Sequence, residues 1–522
     1  MNAKVRVAAT GAALTLLVAM VLVLVRPSID PARIRPLPFV IGAWLAFLTA
    51  AWLLRKVSVR AAVVLILLGG IGVQVAAVSA PPQQSTDLYR YIWDGKVQAA
   101  GIDPYDYSPA STHLDGLRND FLWYPGAEYC APNSKYFTAG CTRINRPTVH
   151  TIYPPVAEAY FLFVHYEPDG STSSTPIQST TAGFAVLTAV LLLAGLRRLG
   201  RDIRMAALWA WCPTVALEAG NNGHVDVVAV AVALAAILLL ATARTTRRTI
   251  VGGVLLGLAI ATKVTPALAV PALLRRRWLT VAVSALSAIV VVYIPHLLAV
   301  GGKVIGFIPG YLQEEGYENG SRFGIIDLFT SGKASILIAV LVLAAVALAV
   351  MRFANPDEPW RGAVVMTAAA LAVTTPHYQW YALLLVMLVA LDGRPEWLAF
   401  AAGGYYAAEP DLGQFTVPFA YRYAVGYGVP VVIVAVGWLV RYYLARPATV
   451  APVTVPAAPV TVPAAPMPTV PVAAVPAPAV TAPAVTGPVA AIAAEEFAIT
   501  APPLPTILTE EEPFPLPRRV RV

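Results

Sequence analysis

Charged residues are scarce in this chain. Only 13% of its 522 residues are charged and 58% are hydrophobic, whereas a soluble protein carries about a quarter charged residues. The scarcity excludes an ordinary soluble fold. The Lys and Arg residues form short clusters between apolar runs, a pattern that encodes orientation in a bilayer, so the net charge of +8 does not indicate nucleic acid as a partner. We predict an all-α polytopic protein of the plasma membrane, with about 12–14 hydrophobic helices in contact with lipid.

Several chemical motifs are also absent. The sequence contains no Gly-rich phosphate loop, ATP-binding motif, Ser–His–Asp arrangement or zinc-ligand spacing. His224 and Asp226 stand at i and i+2 where a helix begins, so they do not converge on one ion. We therefore predict no cofactor, although a divalent metal is an alternative that the sequence leaves open. Without a nucleotide site, any group transfer requires an activated donor delivered within the membrane.

Cysteine is rare, with three in the chain. Cys130 and Cys141 lie in a predicted outer loop, where an oxidising compartment would allow a disulfide between them, with two free thiols as the alternative. Cys212 lies in an apolar run and is expected to be packed there.

The basic clusters predict the topology. Residues 7–25 form a first span with the N-terminus inside, and residues 61–80 lead outward to a large extracytoplasmic loop at 81–149. The run at 152–166 is too short to span, so we expect a surface or re-entrant helix there. A second outer loop covers 301–333. The remaining predicted crossings are 38–54, 177–196, 205–220, 224–241, 278–300, 334–350, 362–375, 382–391, 398–408 and 430–440.

The chain changes composition after the predicted transmembrane domain at 1–446. Residues 447–522 are rich in Pro, Ala, Val and Thr, and PVTVPAA occurs at 452–458 and again at 459–465. Such a segment cannot form a packed core. We predict a disordered cytoplasmic tail, which places both termini in the cytoplasm.

Residues 86–107, TDLYRYIWDGKVQAAGIDPYDY, carry an unusual density of polar groups directly after an apolar run. Helical spacing puts Asp87, Arg90, Tyr91, Asp94 and Gln98 on one face, so we expect a helix at the membrane surface with its acidic side facing a cleft. Asp87 and Asp94 would lie roughly 10 Å apart along the axis, too far apart to act as a pair on one bond. Asp87 also has a purely structural interpretation, because the helix dipole favours a carboxylate in the first turn. Gly101 and Pro104 end the predicted helix.

Lys263 interrupts an apolar run. Residues 250–274 could form one span, but basic clusters flank both ends, and Lys263 and Pro266 lie in the middle. A broken pair of short helices with its tip on the outer side fits better. Lys263 would then bind an anion at exposed helix ends, with snorkelling to the interface as the alternative.

In this topology the unusual polar residues fall on one side of the membrane. They are the helix at 86–107, HTIYP at 150–154, NNGHVD at 221–226, the Lys263 break, the loop with Glu314 and Glu315, and PHYQWY at 376–381. Polar groups at membrane depth are costly and mark sites. We predict one extracytoplasmic cavity, where the aromatic turn at 376–381 either stacks on a ligand or forms an interfacial belt.

Four sequence motifs carry a family resemblance: DLYRYIWDGKVQAAGIDPY (87–105), INRPTVHTIYPP (144–155), GNNGHVD (220–226) and the K-x-x-P break at Lys263. They resemble the GT-C superfamily of integral-membrane glycosyltransferases, especially the actinobacterial mannosyltransferases that use polyprenol-phosphate-mannose in cell-envelope biogenesis. The resemblance covers roughly residues 60–390. It implies a polyprenol-phosphate-linked sugar donor, a lipid-linked or glycan acceptor, and inverting transfer.

The resemblance also implies residue roles. Asp87 is the catalytic base, and Lys263, or else His377, stabilises the donor phosphate. The residues expected to bind substrate are Arg90, Tyr91, Asp94, Tyr153, His224, Tyr378 and Trp380. The alternatives to a sugar transferase of this kind are a transporter, or a flippase or ligase for lipid-linked glycans. A carrier would place its polar groups near the midplane with access to both sides, whereas these cluster at one face.

Overall fold

The computed structural model describes residues 2–26, 37–123, 142–408, 411–412, 415–416 and 418–444. The chain divides into two units, Met1–Ala448 and Thr449–Val522, and every described residue lies in the first. The predicted disordered tail at 447–522 and the predicted pair of Cys130 and Cys141 lie outside the described residues. Cys212 is buried, as expected.

The described residues are predominantly helical, which confirms the predicted all-α class. The α-helices are α1 (Ala3–Leu24), α2 (Leu37–Leu54), α3 (Val59–Val78), α4 (Asp87–Ala99), α5 (Pro155–His165), α6 (Thr175–Arg198), α7 (Ala207–Ala210), α8 (Pro213–Val215), α9 (Asp226–Ala241), α10 (Thr246–Ile260), α11 (Val270–Leu273), α12 (Trp278–Val300), α13 (Ile308–Glu314), α14 (Gly324–Asp327), α15 (Lys333–Phe353), α16 (Pro359–Thr374), α17 (Leu383–Asp392), α18 (Ala399–Ala408) and α19 (Phe419–Leu444). Helical turns of 3₁₀ type lie at Thr112–Leu117, Ile203–Ala206, Thr265–Ala269, Gly301–Ile305, Gln379–Ala382 and Pro395–Leu398, and a π-helical turn lies at Ala216–Asn221. The short strands β1 (Asp411–Leu412) and β2 (Phe415–Thr416) pair antiparallel.

Among the described residues, 7 helices are long and apolar enough to cross a bilayer. They are Ala3–Leu24, Leu37–Leu54, Val59–Val78, Thr175–Arg198, Trp278–Glu314, Lys333–Phe353 and Tyr421–Leu444. The pair Pro213–Asn221 and Asp226–Ala241, bent by 120°, adds an eighth if it is counted as one span. Shorter apolar helices such as α17 accompany these spans, and the polytopic class is confirmed.

The core and the lipid-facing helices differ in which side chains they bury. Every residue of α17 is buried, and this helix packs against α9 and α16. α12 and α15 instead expose apolar side chains, among them Leu286, Val291 and Leu341. A helix that is apolar on its exposed side matches lipid rather than water. The bundle therefore has a packed centre around α17 and an apolar outer surface.

α4 begins at Asp87, and Gly101 follows its end with a φ of 77°, which confirms the predicted helix and its stop. The expected open acidic face is wrong, because residues 88–95 are all buried. The Arg90 Nε donates to both Asp94 carboxylate oxygens at 2.8 and 2.9 Å. This i, i+4 pair neutralises both charges within the packing, so neighbouring segments can cover this face of the helix.

Gly95 allows α4 and α5 to cross closely. A Cβ atom added there would lie 2.4 Å from the backbone oxygen of Phe161. We expect Gly95→Ala to lower the free energy of unfolding by about 1–3 kcal/mol, because overpacking forces the helices apart. The change would appear as a lower unfolding temperature. Gly116→Ala is the matched control, since a Cβ atom there meets nothing within 4 Å; equal unfolding temperatures for the two variants would contradict the close crossing.

Candidate active site

Asp87 occupies the N-terminus of α4, where helix backbone N–H groups favour a carboxylate. Its backbone N–H donates to Ser85 Oγ at 3.2 Å, and Asn145 Nδ2 donates to Asp87 Oδ1 at 2.5 Å. The second carboxylate oxygen lies 3.9 Å from His224 Nδ1. Its side chain is 17% exposed. One oxygen is thus anchored while the carboxylate remains accessible.

Two asparagines hold the segment that leads into α4. Asn221 Oδ1 accepts from the backbone N–H of Gln83, and Asn222 Oδ1 accepts from that of Gln84, each at 3.1 Å. Asn221 Nδ2 also donates to the backbone oxygen of Ala77 at 3.0 Å. These bonds join residues far apart in sequence, so the NNGHVD turn fixes where Asp87 lies.

The same turn places His224. Gly223 adopts a φ of 67°, which a residue with a side chain rarely tolerates, and the chain then turns into α9. The His224 ring is fully buried and stacks on Trp380 with ring centroids 3.8 Å apart. Its Nε2 lies 3.7 Å from Glu218 Oε2. Glu218 in turn accepts from the Tyr405 hydroxyl at 2.7 Å. His224 therefore joins the start of α4 to the aromatic turn at 376–381.

Lys263 lies in the break between α10 and the 3₁₀ turn Thr265–Ala269, so the predicted interruption of this span is confirmed. Its Nζ lies 3.3 Å from Asp226 Oδ2 and 5.1 Å from the centroid of the Tyr153 ring. The Asp226 side chain is 2% exposed, whereas that of Lys263 is 17% exposed. The buried carboxylate anchors the ammonium, and the ammonium still reaches the surface.

Tyr153 connects Lys263 to the aromatic side chains of α4 and α5. Its ring packs edge-on against that of Tyr91, with centroids 4.9 Å apart, and Tyr91 stacks on Phe161.

We use the name Asp87 site for Asp87, Asn145, His224, Asp226, Lys263 and Trp380. Within the described part of the chain, no three His, Cys, Asp or Glu side chains are arranged to hold a metal ion.

The aromatic turn forms one wall of the Asp87 site. Tyr378 stacks on Trp380 with ring centroids 4.4 Å apart. Burial raises the pKa of the Tyr378 hydroxyl, the Glu315 carboxylate adds to the rise, and the neighbouring Arg146 opposes it. Arg146 also bonds Glu314 at 2.7 Å, which brings the 301–333 segment close to this wall. Tyr378 is therefore a neutral stacking and hydrogen-bonding group.

His377 is in a different electrostatic setting from Lys263. Its Nδ1 lies 3.3 Å from Glu315 Oε2, but Arg322 already forms an ion pair with that carboxylate. Burial and the nearby positive charges of Arg322 and Arg422 lower the pKa of His377 to about 3. The imidazole is neutral at physiological pH, so it can offer a phosphate a hydrogen bond but not a positive charge.

Arg90 and Asp94 form a second, internal cluster instead of lining the Asp87 site. Arg90 Nη1 donates to the backbone oxygen of Val149 at 3.1 Å, and Gln98 Nε2 donates to Glu158 Oε2 at 3.0 Å. The Thr151 hydroxyl donates to the other Glu158 oxygen at 2.7 Å. The cluster holds the segment at 149–158 against α4, and so supports Tyr153 from below.

Glu158 makes the stability of this cluster dependent on pH. Burial raises the pKa of its carboxyl well above the usual 4.5, and the nearby Asp94 adds to the rise. Between the usual pKa of 4.5 and the raised pKa, the folded protein keeps a proton that the unfolded chain releases. The free energy of unfolding therefore falls as pH rises above 4.5 toward the raised pKa. We expect Glu158→Gln to reduce this fall in thermal unfolding measured from mildly acidic to mildly basic pH. Glu167→Gln, at an exposed position just after α5, should behave as wild type; an unchanged pH slope in Glu158→Gln would contradict a retained proton.

Sequence reasoning missed three polar residues of this region as individuals: Asn145, Glu158 and Glu218. Asn145 stands in the INRPTVHTIYPP phrase, and the two glutamates stand alone within apolar runs at 152–166 and 205–220. A lone carboxylate in an apolar run is itself a signal of a buried polar network. Asn145 gave no such signal, because its bond to Asp87 spans 58 positions in sequence.

Comparison with known proteins adds a family match. Residues 151–376, which are fewer than half of the chain, match the model of Glycosyltransferase family 87. The solved structure of ArnT from Cupriavidus metallidurans, crystallised bound to undecaprenyl phosphate, is 15% identical, covers 75% of this chain and 73% of its own, and has a TM-score of 0.41. The apo oligosaccharyltransferase of Archaeoglobus fulgidus is 13% identical, covers 72% of this chain and 55% of its own, and has a TM-score of 0.33. No curated protein matches the chain.

The family match includes much of the Asp87 site. His224, Asp226 and Lys263 all lie within residues 151–376, whereas Asp87 and Asn145 precede them. The predicted class and the prediction of an enzyme are confirmed. Residues 151–376 of this polytopic helical protein match Glycosyltransferase family 87.

Proposed function

We propose that this enzyme transfers a sugar, mannose, from a polyprenol-phosphate donor to a lipid-linked or glycan acceptor of the cell envelope, on the extracytoplasmic face of the plasma membrane. One observation carries the proposal. Asp87 and Lys263 each reach the surface of the same site with 17% of the side chain exposed. Asn145 anchors Asp87, and the buried Asp226 anchors Lys263. A carboxylate base and a cation in one site suit attack by a hydroxyl and departure of a phosphate.

Asp87 is the base in this proposal. Its carboxylate takes the proton from the acceptor hydroxyl as the oxygen bonds to the anomeric carbon of the sugar. The bond between that carbon and the donor phosphate oxygen breaks, and its electron pair leaves with the polyprenyl phosphate. Attack opposite the leaving group inverts the anomeric configuration. Asn145 holds one Asp87 oxygen at 2.5 Å and leaves the other to accept the proton.

Lys263 stabilises the leaving phosphate in this proposal. The polyprenyl phosphate departs as an anion, so no general acid is needed, but the growing negative charge requires a fixed cation. Asp226 and the Tyr153 ring position the Lys263 ammonium without removing it from the surface. A neutral His377 would contribute a hydrogen bond at most.

The remaining residues would shape the sugar-binding wall. Tyr378 is the partly exposed ring of a stack whose other members, Trp380 and His224, are buried. A sugar ring would pack on the Tyr378 face. Tyr91 and Tyr153 pack against each other, and the Tyr153 ring lies beside the Lys263 ammonium. Arg90 and Asp94 contribute indirectly, because they bond each other below the site.

The test supplies isolated membranes with a panel of radiolabelled polyprenol-phosphate sugars and identifies the labelled product. We expect label from polyprenol-phosphate-mannose to enter a larger glycolipid or glycan in membranes that contain the wild-type enzyme. Membranes with Asp87→Asn are the background control. Incorporation that needs a different polyprenol-linked sugar would overturn the choice of mannose, and equal incorporation in both membranes would overturn the assignment of transfer to this site.

A further inference from the structure

A second cavity lies at the far end of α10 from Lys263. It encloses about 450 Å³ between the end of α9 and the starts of α10, α12 and α16. α10 has 15 residues, so the two ends lie roughly 22 Å apart at the usual rise per residue. The cavity is therefore separate from the Asp87 site.

The charge around this cavity is strongly positive. Four arginines line it: Arg244, Arg275, Arg276 and Arg277. The carboxylate that meets them is Asp357, which lies 2.8 Å from Arg276 Nη1 and is 65% exposed. Within the described residues, Asp357 is the one carboxylate that forms an ion pair with these four arginines, so most of their positive charge is uncompensated.

Helix ends add to the attraction for an anion. α10 begins at Thr246, α12 at Trp278 and α16 at Pro359, and residues from the first turns of all three line the cavity. The N-terminus of a helix carries a partial positive charge and free backbone N–H groups. These are long helices of 15, 23 and 16 residues, so their dipoles are fully developed.

The arginines differ in how they are held. Arg277 Nη2 donates to the backbone oxygen of Arg244 at 3.2 Å, and its Nη1 lies 3.5 Å from Thr249 Oγ1. Arg275 donates to the backbone oxygen of Met351. Within the described residues, the Arg244 side chain forms no hydrogen bond or ion pair. The cavity thus contains the guanidinium groups of Arg275 and Arg277, which hydrogen bonds hold in place. It also contains that of Arg244, which has no partner among the described residues.

The walls carry apolar surface beside these cations. Leu240, Leu273 and Val281 line the cavity. Trp278 and Leu279, at the start of α12, are 61% and 58% exposed. Basic pockets between membrane helices bind anionic lipid headgroups. The headgroup of such a lipid would contact the arginines, and its acyl chains would contact the apolar side chains.

We propose that this cavity is a binding site for a phosphate-bearing anion, with the phosphate held by Arg244 and Arg277 at the three helix N-termini. The same chemistry can come from an anionic phospholipid, whose chains would lie along the exposed start of α12, or from free phosphate. The site is independent of the transfer reaction proposed for the Asp87 site.

The experiment compares lipid and phosphate binding to the purified full-length protein. Native mass spectrometry measures retention of phosphatidylglycerol against phosphatidylcholine, and titration calorimetry measures binding of inorganic phosphate. Arg244→Gln breaks no bond of its side chain within the described residues. Arg244→Gln/Arg277→Gln also removes the three hydrogen bonds that the Arg277 side chain donates, to Thr246, Thr249 and the backbone oxygen of Arg244. Arg247→Gln/Arg248→Gln is the control, because these exposed arginines lie in the first turn of α10, close to Arg244 in sequence, but do not line the cavity.

We expect wild-type protein and the control to prefer phosphatidylglycerol, and Arg244→Gln/Arg277→Gln to bind it at least about tenfold more weakly, as charge-assisted hydrogen bonds are lost. A loss confined to inorganic phosphate would assign the site to the free anion. If the cavity variants and the control bound both probes as wild type does, the proposal would be overturned.

Discussion

Asp87→Asn abolishes most sugar transfer while leaving the folded protein intact. The change removes the proposed base but keeps the shape of the side chain, and an amide oxygen can still accept from Asn145 Nδ2. A positioned general base contributes about 10²–10⁴-fold to rate, so we expect kcat to fall by that factor with little change in the unfolding temperature. The measurement is initial-rate transfer by purified protein with saturating donor.

Asp115→Asn is the matched control for this variant. Asp115 lies in the same predicted outer segment, but its carboxylate is 52% exposed and pairs with Arg118 on the surface. We expect wild-type rates from it. Wild-type rates from Asp87→Asn itself would show that the base is another group.

We expect Lys263→Met to weaken transfer by about 10²–10³-fold, because the leaving phosphate loses the cation proposed to stabilise it. The variant also leaves Asp226 buried without its partner, which costs roughly 3 kcal/mol in a buried pair. The unfolding temperature should therefore fall together with the rate. A single variant cannot separate the two effects.

The double variant Lys263→Met/Asp226→Asn separates them. Neutralising Asp226 removes the unpaired buried charge, so the unfolding temperature should recover. If Lys263 stabilises the donor phosphate, the rate stays low in the double variant. Recovery of the rate together with stability would mean that Lys263 only neutralises Asp226, and the proposed phosphate role would be lost.

Local signals in the sequence predicted the elements that carry the site. The start of α4 at Asp87, its stop at Gly101, and the break at Lys263 all follow from composition within a few residues. Glycine, proline and a charge within an apolar run act on the chain around them, so their effect is visible without knowledge of the fold.

Long-range pairing accounts for what the sequence did not predict. The predicted open face of α4 is buried because Arg90 and Asp94 bond each other and the segment at 149–158 covers them. The bond between Tyr405 and Glu218 joins positions 187 residues apart. Such pairs cannot be predicted from the periodicity or composition of the sequence, because they depend on how the helices pack against each other.

A comparison of two donor classes tests the proposed function most directly. Purified enzyme in proteoliposomes would be given the same radiolabelled sugar either as polyprenol phosphate or as a nucleotide sugar, with the acceptor supplied in membrane extract. We predict transfer from the polyprenol-phosphate donor alone, and none by Asp87→Asn. Transfer from the nucleotide sugar, with none from the polyprenol phosphate, would contradict the account.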